Sequence, residues 1–262
     1  MGSATTQARA QCIAVLDTLD PQADFIAAQE LFEAERVLLS SPSLIAAIAD
    51  TSTALEDRTR LLKRLFGSVS APAFSLLTAV ASERWSAHHD IVPMVEELAI
   101  RTLAAFVPQK DLVSELFAFE RAVSSDAELE LVLRGKLVDS QAKAGLITKL
   151  LGGKASPETI MIVTSVVLAP RGRSIRVAIH DAARIVAAAR GRTVATVISA
   201  EPLQPAQASK VREELSAQYG DIALNRVVNP DVMGGLRIEV GHTVLDGSVI
   251  SKLTELRLQL VG

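Results

Sequence analysis

The sequence predicts a mainly α-helical chain that ends in a small α+β domain: tandem helical bundles followed by a β-α-β-β-α module. Three observations carry that prediction. Aromatic residues make up only 3% of the chain, while Ala, Leu, Val and Ile dominate an apolar fraction of 49%, a balance that favours helices over an all-β sandwich. A stretch of the first hundred residues recurs in the second hundred. After Gly191 the apolar spacing changes from helical to alternating. With 262 residues the chain is at or past the size where one hydrophobic core stops growing. Three units are expected: residues 1–106 as a first helical bundle, 107–191 as its duplicate, and 192–262 as the α+β domain.

The repeat is visible at an offset of 85. Leu31-Phe-Glu-Ala-Glu-Arg36 recurs as Leu116-Phe-Ala-Phe-Glu-Arg121, and the same offset aligns Leu44 with Leu129, Leu61 with Leu146, Leu65 with Leu150, Gly67 with Gly152 and Pro72 with Pro157. These identities fall at matching points of the hydrophobic pattern, the mark of a duplicated helical module. Past the prolines the register slips by one, so that Asp90 faces Ser174.

Each copy can be read helix by helix. A helix over Gln7 to Leu19 comes first. Ser43 precedes Leu44, Ile45 and Ile48; Leu55 to Phe66 carries a stripe of Leu55, Leu62, Leu65 and Phe66; Pro72 opens Phe74 to Arg84; Ile91 to Phe106 is long and rich in alanine. The second copy gives Leu112 to Val123, Leu129 to Leu133, Gln141 to Leu151, Pro157 to Leu168 and Ile175 to Ala189. None of these helices reads as apolar all round, so each must pack against neighbours, which gives a bundle of about five or six helices per copy. Residues Met94 to Phe106 end the first copy and also hold the place before Leu112 that Gln7 to Leu19 holds before Leu31, so the copies are expected to share a helix. Trp85 is expected to plug the space between them.

The C-terminal unit begins with Thr193 to Ser199, β-branched and alternating, stopped by Pro202. A helix from Ala206 to Tyr219 has Val211 and Leu215 on its inner face, and Ile222, Leu224, Arg226 and Val228 mark a second strand. Gly234-Gly235 gives freedom for a tight entry into Leu236 to Val240, Gly241-His242 fits a reversal, and Thr243 to Leu245 completes a hairpin. Asp246-Gly247 breaks the strand, Ser248 is a cap, and Val249, Leu253, Leu256 and Leu260 form one stripe opposite Lys252, Glu255 and Arg257.

Several function classes lose support. The net charge of −3 argues against a general nucleic-acid binder. Cys12 is the only cysteine, so no disulfide framework or cysteine metal cluster is expected, and a reducing compartment fits. No secretory signal or membrane span is expected: the first residues lack a basic region before an apolar core, and the charge-free window Leu65 to Ser82 contains Gly67, Pro72 and four serines. His88 and His89 are adjacent and point to different faces, poor geometry for shared metal ligation; His180 sits on a polar helix face and His242 in the hairpin. Ser165, Ser174 and Ser199 lack a Gly-x-Ser-x-Gly elbow, and no phosphate-binding glycine motif occurs. No cofactor, metal or small-molecule substrate is expected.

The tail Asn229-Pro-Asp-Val-Met-Gly-Gly-Leu-Arg-Ile-Glu-Val-Gly241, followed by His242-Thr-Val-Leu-Asp-Gly-Ser-Val249, resembles the C-terminal signature of the delta subunit of F-type ATP synthases, relatives of the oligomycin-sensitivity conferring protein. Leu168-Ala-Pro-Arg-Gly-Arg-Ser-Ile175 and Thr196-Val-Ile-Ser-Ala-Glu-Pro-Leu203 resemble that family's junction between helical and C-terminal domains. Usual members carry one N-terminal bundle; two is similar to the enlarged actinobacterial form and leaves open which copy does the usual job. The resemblance implies a non-catalytic peripheral-stalk, or stator, subunit, peripheral to the plasma membrane on the cytoplasmic side. Its helical part would grip the N-terminal helices of alpha subunits, and its C-terminal domain the C-terminal helix of the b subunit, separate or fused to a related chain. A helical-repeat adaptor unrelated to ATP synthase, and a small α/β enzyme, are the alternative readings.

Candidate contact residues follow. Cys12, Val15, Leu16 and Leu19 make an apolar stripe that is either core or the lining of a groove for an alpha-subunit helix. Leu253, Leu256 and Leu260 are the matching candidates for the b contact. Charge is uneven: residues 107–191 hold 12 basic and 9 acidic side chains, residues 1–106 hold 8 and 13. Lys143, Lys149, Lys154, Arg171, Arg173 and Arg176 are therefore expected either to form a basic patch toward an acidic partner or to be a solvated helical face.

Overall fold

The computed structural model describes residues 2–19, 23–135, 137–230, 232, 235–241 and 243–246. The first copy consists of α1 (Ser3–Leu19), α2 (Phe25–Ser40), α3 (Pro42–Ala49), α4 (Leu55–Phe66), α5 (Ala71–Ser82) and, after a 3-10 turn at His88–Asp90, α6 (Ile91–Phe106). The second contains α7 (Leu112–Ser124), α8 (Ala127–Arg134), α9 (Ser140–Leu151), α10 (Pro157–Leu168) and α11 (Ile175–Ala189). Mainly helical structure with a small α+β part is therefore what the chain has.

Helix starts in the second copy are set by side-chain caps. Asp111, Asp126, Asp139, Ser156 and Ser174 each accept a backbone N–H from the first turn of α7 to α11 in order, satisfying donors that a helix leaves open. This is why α8 starts at Ala127, two residues before the apolar pattern suggests. α5 likewise starts at Ala71, because Pro72 occupies its first turn, where a missing N–H does no harm.

The repeat is physical as well as textual. Ser70, before α5, donates its N–H and Oγ–H to Glu30 Oε2 at 2.9 and 2.5 Å. Ser156, before α10, donates the same two groups to Glu115 Oε2 at 2.9 and 2.7 Å. The aligned glycines are explained by crowding at helix ends: a Cβ on Gly67 would lie 2.3 Å from Lys63 O, and one on Gly152 would lie 2.9 Å from Thr148 O.

The two copies share α6. It packs on α1, α2 and α5 and also on α11, and one continuous apolar core runs from Ala8 in α1 to Val186 and Ala187 in α11. α6 is not apolar all round, since it carries Glu96, Glu97 and Arg101, yet its middle turns are enclosed on every side. Met94, Val95, Glu96, Glu97, Leu98, Ala99 and Ile100 are consecutive and all buried, which at 100° per residue leaves no solvent face. Thr5 Oγ1 donates to Asp90 Oδ2 at 2.5 Å, and Arg9 holds Glu97 through two 2.6 Å bonds, fixing α1 along α6. Trp85 does not plug the space between the copies: it is buried beside the start of α1, where it lines a cavity of the first copy, and its Nε1 donates to Val80 O at 2.9 Å.

At the far end of α11, Arg190 donates to Lys110 O, Val107 O and Ala104 O at 2.5, 2.8 and 3.2 Å, covering the open carbonyls where α6 ends. Gly191, at φ 65°, then turns the chain into the C-terminal unit. That unit comprises β1 (Thr193–Ser199), α12 (Pro205–Tyr219), β2 (Ile222–Val228), β3 (Leu236–Val240) and β4 (Thr243–Asp246). The strand order is β2-β1-β3-β4. β1 and β2 are parallel, joined through α12, with Thr193 opposite Ile222; β3 is antiparallel to β1, with Ser199 opposite Leu236, and β4 antiparallel to β3.

Alternation along the strands makes a second, small core. Ala195, Val197, Ile222 and Val240 pack with Val211 and Leu215 of α12. On the other face, Val194 and Ala223 join the helical core, so the sheet sits against the second copy. Asp246 extends β4 instead of breaking it. The expected helix after Ser248, with Val249, Leu253, Leu256 and Leu260, lies outside the described residues, as does His242.

Because Leu98 of α6 is fully enclosed, Leu98→Ala is expected to destabilise the chain by about 3 kcal/mol. Hydrogen exchange should then show protection falling in α2 and α11 together; a loss confined to the first copy would mean that the copies fold separately.

Candidate partner-binding surfaces

The stripe on α1 divides between core and surface. Cys12 is fully buried and Leu16 nearly so; Val15 and Leu19 are half-buried and pack on the same core. The outward face of α1 is small and polar: Gln7, Ala10, Gln11 and Ala14 are exposed. Where α1 begins, a cavity of about 510 Å³ opens between Ser3, Gln7, Ala8, Glu83 and Trp85. Of the four candidates, only Val15 and Leu19 therefore keep surface for a partner.

The basic candidates separate more sharply. Arg171 Nη2 lies 2.5 Å from Glu96 Oε1, and Arg173 Nη2 lies 2.8 Å from Glu96 Oε2. Arg173 Nη1 reaches Asp181 Oδ2 at 3.3 Å, and Arg171 Nε lies 3.4 Å from Glu35 Oε1. Both glutamates are only 1% exposed. Arg171 and Arg173 thus turn inward, from the loop between α10 and α11 to α2 and α6, because buried carboxylates are tolerated only when neutralised. Grouping them with the lysines as a surface patch is corrected on this point. Arg176 remains exposed on α11, while Lys143 and Lys149 lie on α9 and Lys154 in the turn after it.

Sequence reading missed Glu35 and Glu96. A signal existed: Glu35 stands on the buried stripe of α2 with Leu31 and Leu38, and Glu96-Glu97 interrupts an otherwise apolar run. Charges at such positions require partners.

The second copy shows what its equivalent face does. Glu120, the counterpart of Glu35, lines a cleft of about 790 Å³ between α7, α11 and the sheet, together with Arg176, His180, Thr196, Asn225 and Glu239. His180 Nδ1 is 3.8 Å from Glu120 Oε2, and its ring centroid lies 5.9 Å from that of Phe117. On the α12 side a second groove includes Leu203, Val211 and Leu236. Leu253, Leu256 and Leu260 lie outside the described residues. Among the described residues no group of three His, Cys, Asp or Glu side chains is placed to hold a metal ion, and no helix is long and apolar enough to cross a membrane.

Cys12 supplies a direct check on the placement of α1. Burial first, then the charges of Glu83 and Glu97, pushes its thiol up to about 12, so thiolate is scarce at neutral pH. Native protein is expected to resist a disulfide reagent at pH 8 and to react fully in denaturant; rapid native reaction would place α1 off the bundle.

The family pattern described as ATP synthase delta (OSCP) subunit matches residues 107–260, the second copy with the C-terminal unit. The ATP synthase subunit delta of Leifsonia xyli subsp. xyli is 50% identical over 263 residues, covering all of both chains. That of Streptomyces avermitilis is 36% identical, covering 99% of this chain and 97% of its own. A chain of the Toxoplasma gondii mitochondrial ATP synthase hexamer is 20% identical, covering 64% of this chain and 97% of that one at a TM-score of 0.39, too distant to bear on the fold. Both helical copies and the mixed sheet are thus spanned by full-length relatives of one kind, and the chain belongs to the ATP synthase delta (OSCP) subunit family.

Proposed function

We propose that this peripheral-stalk component of ATP synthase is a two-ended clamp. Its helical part holds N-terminal helices of alpha subunits at the crown of the catalytic head, and its C-terminal domain holds the C-terminal helix of the b subunit. The catalytic head is thereby kept from turning with the rotor. The chain supplies no acid, base or nucleophile of its own; it supplies stiffness. It acts at the cytoplasmic face of the plasma membrane, held there by its partners.

The observation that carries this reading is the extent of the family match. It spans residues 107–260, the second copy together with the α+β unit, and the full-length relatives span the first copy as well. A clamp needs two separated docking surfaces on one stiff body. The enclosed α6 and the Arg190 contacts join the helical copies to the start of the sheet, which supports such a body. A helix laid in a groove is the recognition mode that fits both ends. At the helical end the exposed parts of Val15 and Leu19 belong to one candidate groove; at the other, Leu253, Leu256 and Leu260 remain the candidates. Arg176, at the rim of the cleft between bundle and sheet, is a candidate contact for an acidic group.

The test is capture from membrane extracts. Full-length chain is expected to retain both alpha and b subunits, whereas a chain ending at Gly191, checked for intact helicity by circular dichroism, is expected to retain alpha and lose b. Capture of neither by the full chain would overturn the clamp and favour a helical adaptor.

A further inference from the structure

We propose that Glu35, Glu96 and the loop between α10 and α11 form a proton-dependent latch across the seam of the two helical copies, closed while Glu35 carries a proton and loosened when that proton is lost to water. The latch concerns the chain by itself and does not depend on which partners it binds.

Charge counting gives the first argument. Glu96 and Asp181 offer two carboxylates, and Arg171 and Arg173 offer two guanidinium groups, all within 3.3 Å of a partner. That set is already neutral. Glu35 is a fifth ionisable group, 1% exposed, whose Oε1 accepts no hydrogen bond and lies 3.4 Å from Arg171 Nε. An additional buried charge there has no second cation to meet. Arg184 on α11 lies 4.0 Å from Asp181 Oδ1, but it is half-exposed and so adds little to the charge balance at the enclosed Glu35; the remaining neighbours do not alter the count. α3 and α5, which also pack on α2, contain no ionisable side chain. Glu97 on α6 is held by Arg9 and Arg101, Glu158 on α10 by Lys110, and His180 on α11 faces Glu120. Arg36, next to Glu35, is exposed.

The backbone gives the second argument. Arg171 has φ 51°, the one positive value for a non-glycine among the described residues, and Gly172 follows at 77°. A left-handed L-residue is disfavoured on its own and persists where surroundings fix it. Here the side-chain bonds to Glu96 fix it. A loop held in this conformation by one ionic cluster is set to relax when the cluster is disturbed.

The electrostatics agree. Burial first, then the charge of Glu96, raises the Glu35 carboxyl to about 9; the pull of Arg171 opposes this, and a hydrogen bond shared with Glu96 adds to the rise. Since the folded value lies above the ordinary carboxylate value of 4.5, the stabilisation from this group is complete below that value. It is lost progressively as pH rises toward 9.

The test uses the full chain and Glu35→Gln, which keeps the neutral shape and cannot release a proton. At pH 7 wild type is expected to release about one more proton on unfolding than the variant, read from the pH dependence of urea stability. Between pH 6 and pH 9, protection of amides in α2, α6 and residues 169–174 should fall at least tenfold further in wild type, after correction for intrinsic exchange. Equal proton release and equal protection loss would overturn the latch. Should the variant fail to fold, infrared spectroscopy of wild type decides: a protonated carboxylic acid band at pH 7 that disappears near pH 10 supports it, and no such band at pH 7 overturns it.

Discussion

The helical part depends on the enclosure of the middle turns of α6. A helix with seven consecutive buried residues has no face left for solvent, and it acquires neighbours on every side only because it belongs to two modules at once. As the sixth helix of the first copy it pairs with α2, just as α11 pairs with α7; as the first helix of the second it lies along α11, as α1 lies along α6. Duplication with a shared helix differs mechanically from duplication with a linker. Two beads on a string bend at the string, whereas here the joint is the best-buried element in the molecule. Close-packed interiors have low compressibility and transmit strain, which is the property a stator part needs.

Polar contacts fix the register of that apolar packing. Glu30 and Glu115 each hold the N-terminal end of the fifth helix of their copy through a serine. Apolar surfaces slide at little cost, whereas a partly buried carboxylate with two short bonds to one serine has a single best position. Arg190 acts similarly where the sheet begins. Its three carbonyl contacts tie the last turn of α11 to the end of α6 and the loop after it, so the first strand leaves the bundle at a defined point.

Helix and strand positions were largely legible because their signals are local. Leu55–Phe66, Ile91–Phe106, Pro157–Leu168, Ile175–Ala189 and Ile222–Val228 have the ends that apolar spacing, prolines and glycines indicate. Apolar spacing alone makes α8 too short, because its cap, Asp126, stands three residues before Leu129. The partner surfaces were less legible. Cys12, Val15, Leu16 and Leu19 form one stripe in sequence, but the line between core and surface runs through it, and only neighbouring helices draw that line. Arg171 and Arg173 read as surface charge because they lie in a Pro-Gly loop, and the buried carboxylate they share, Glu96, is more than seventy residues away in sequence. Burial of α6 on all sides was hidden for the same reason: Glu96 and Glu97 give it a polar look, and their neutralisation is a long-range event.

Equivalent positions in the two copies meet different neighbours. Glu35 and Glu120 occupy the same place in their copies, facing whichever module comes next. After the first copy that module is another bundle, and the loop between its last two helices delivers two arginines to the acidic pair. After the second it is a sheet, which delivers Thr196 and Asn225, and Glu120 has an imidazole beside it where Glu35 has Glu96. The first face is sealed by ionic bonds; the second keeps a cleft of about 790 Å³. Within one chain the same helical module therefore meets its neighbour through a tight seam on one side and a looser one on the other. Compliance under load should concentrate at the looser one, between the bundle and the sheet, since relative motion there breaks fewer buried contacts than motion across α6.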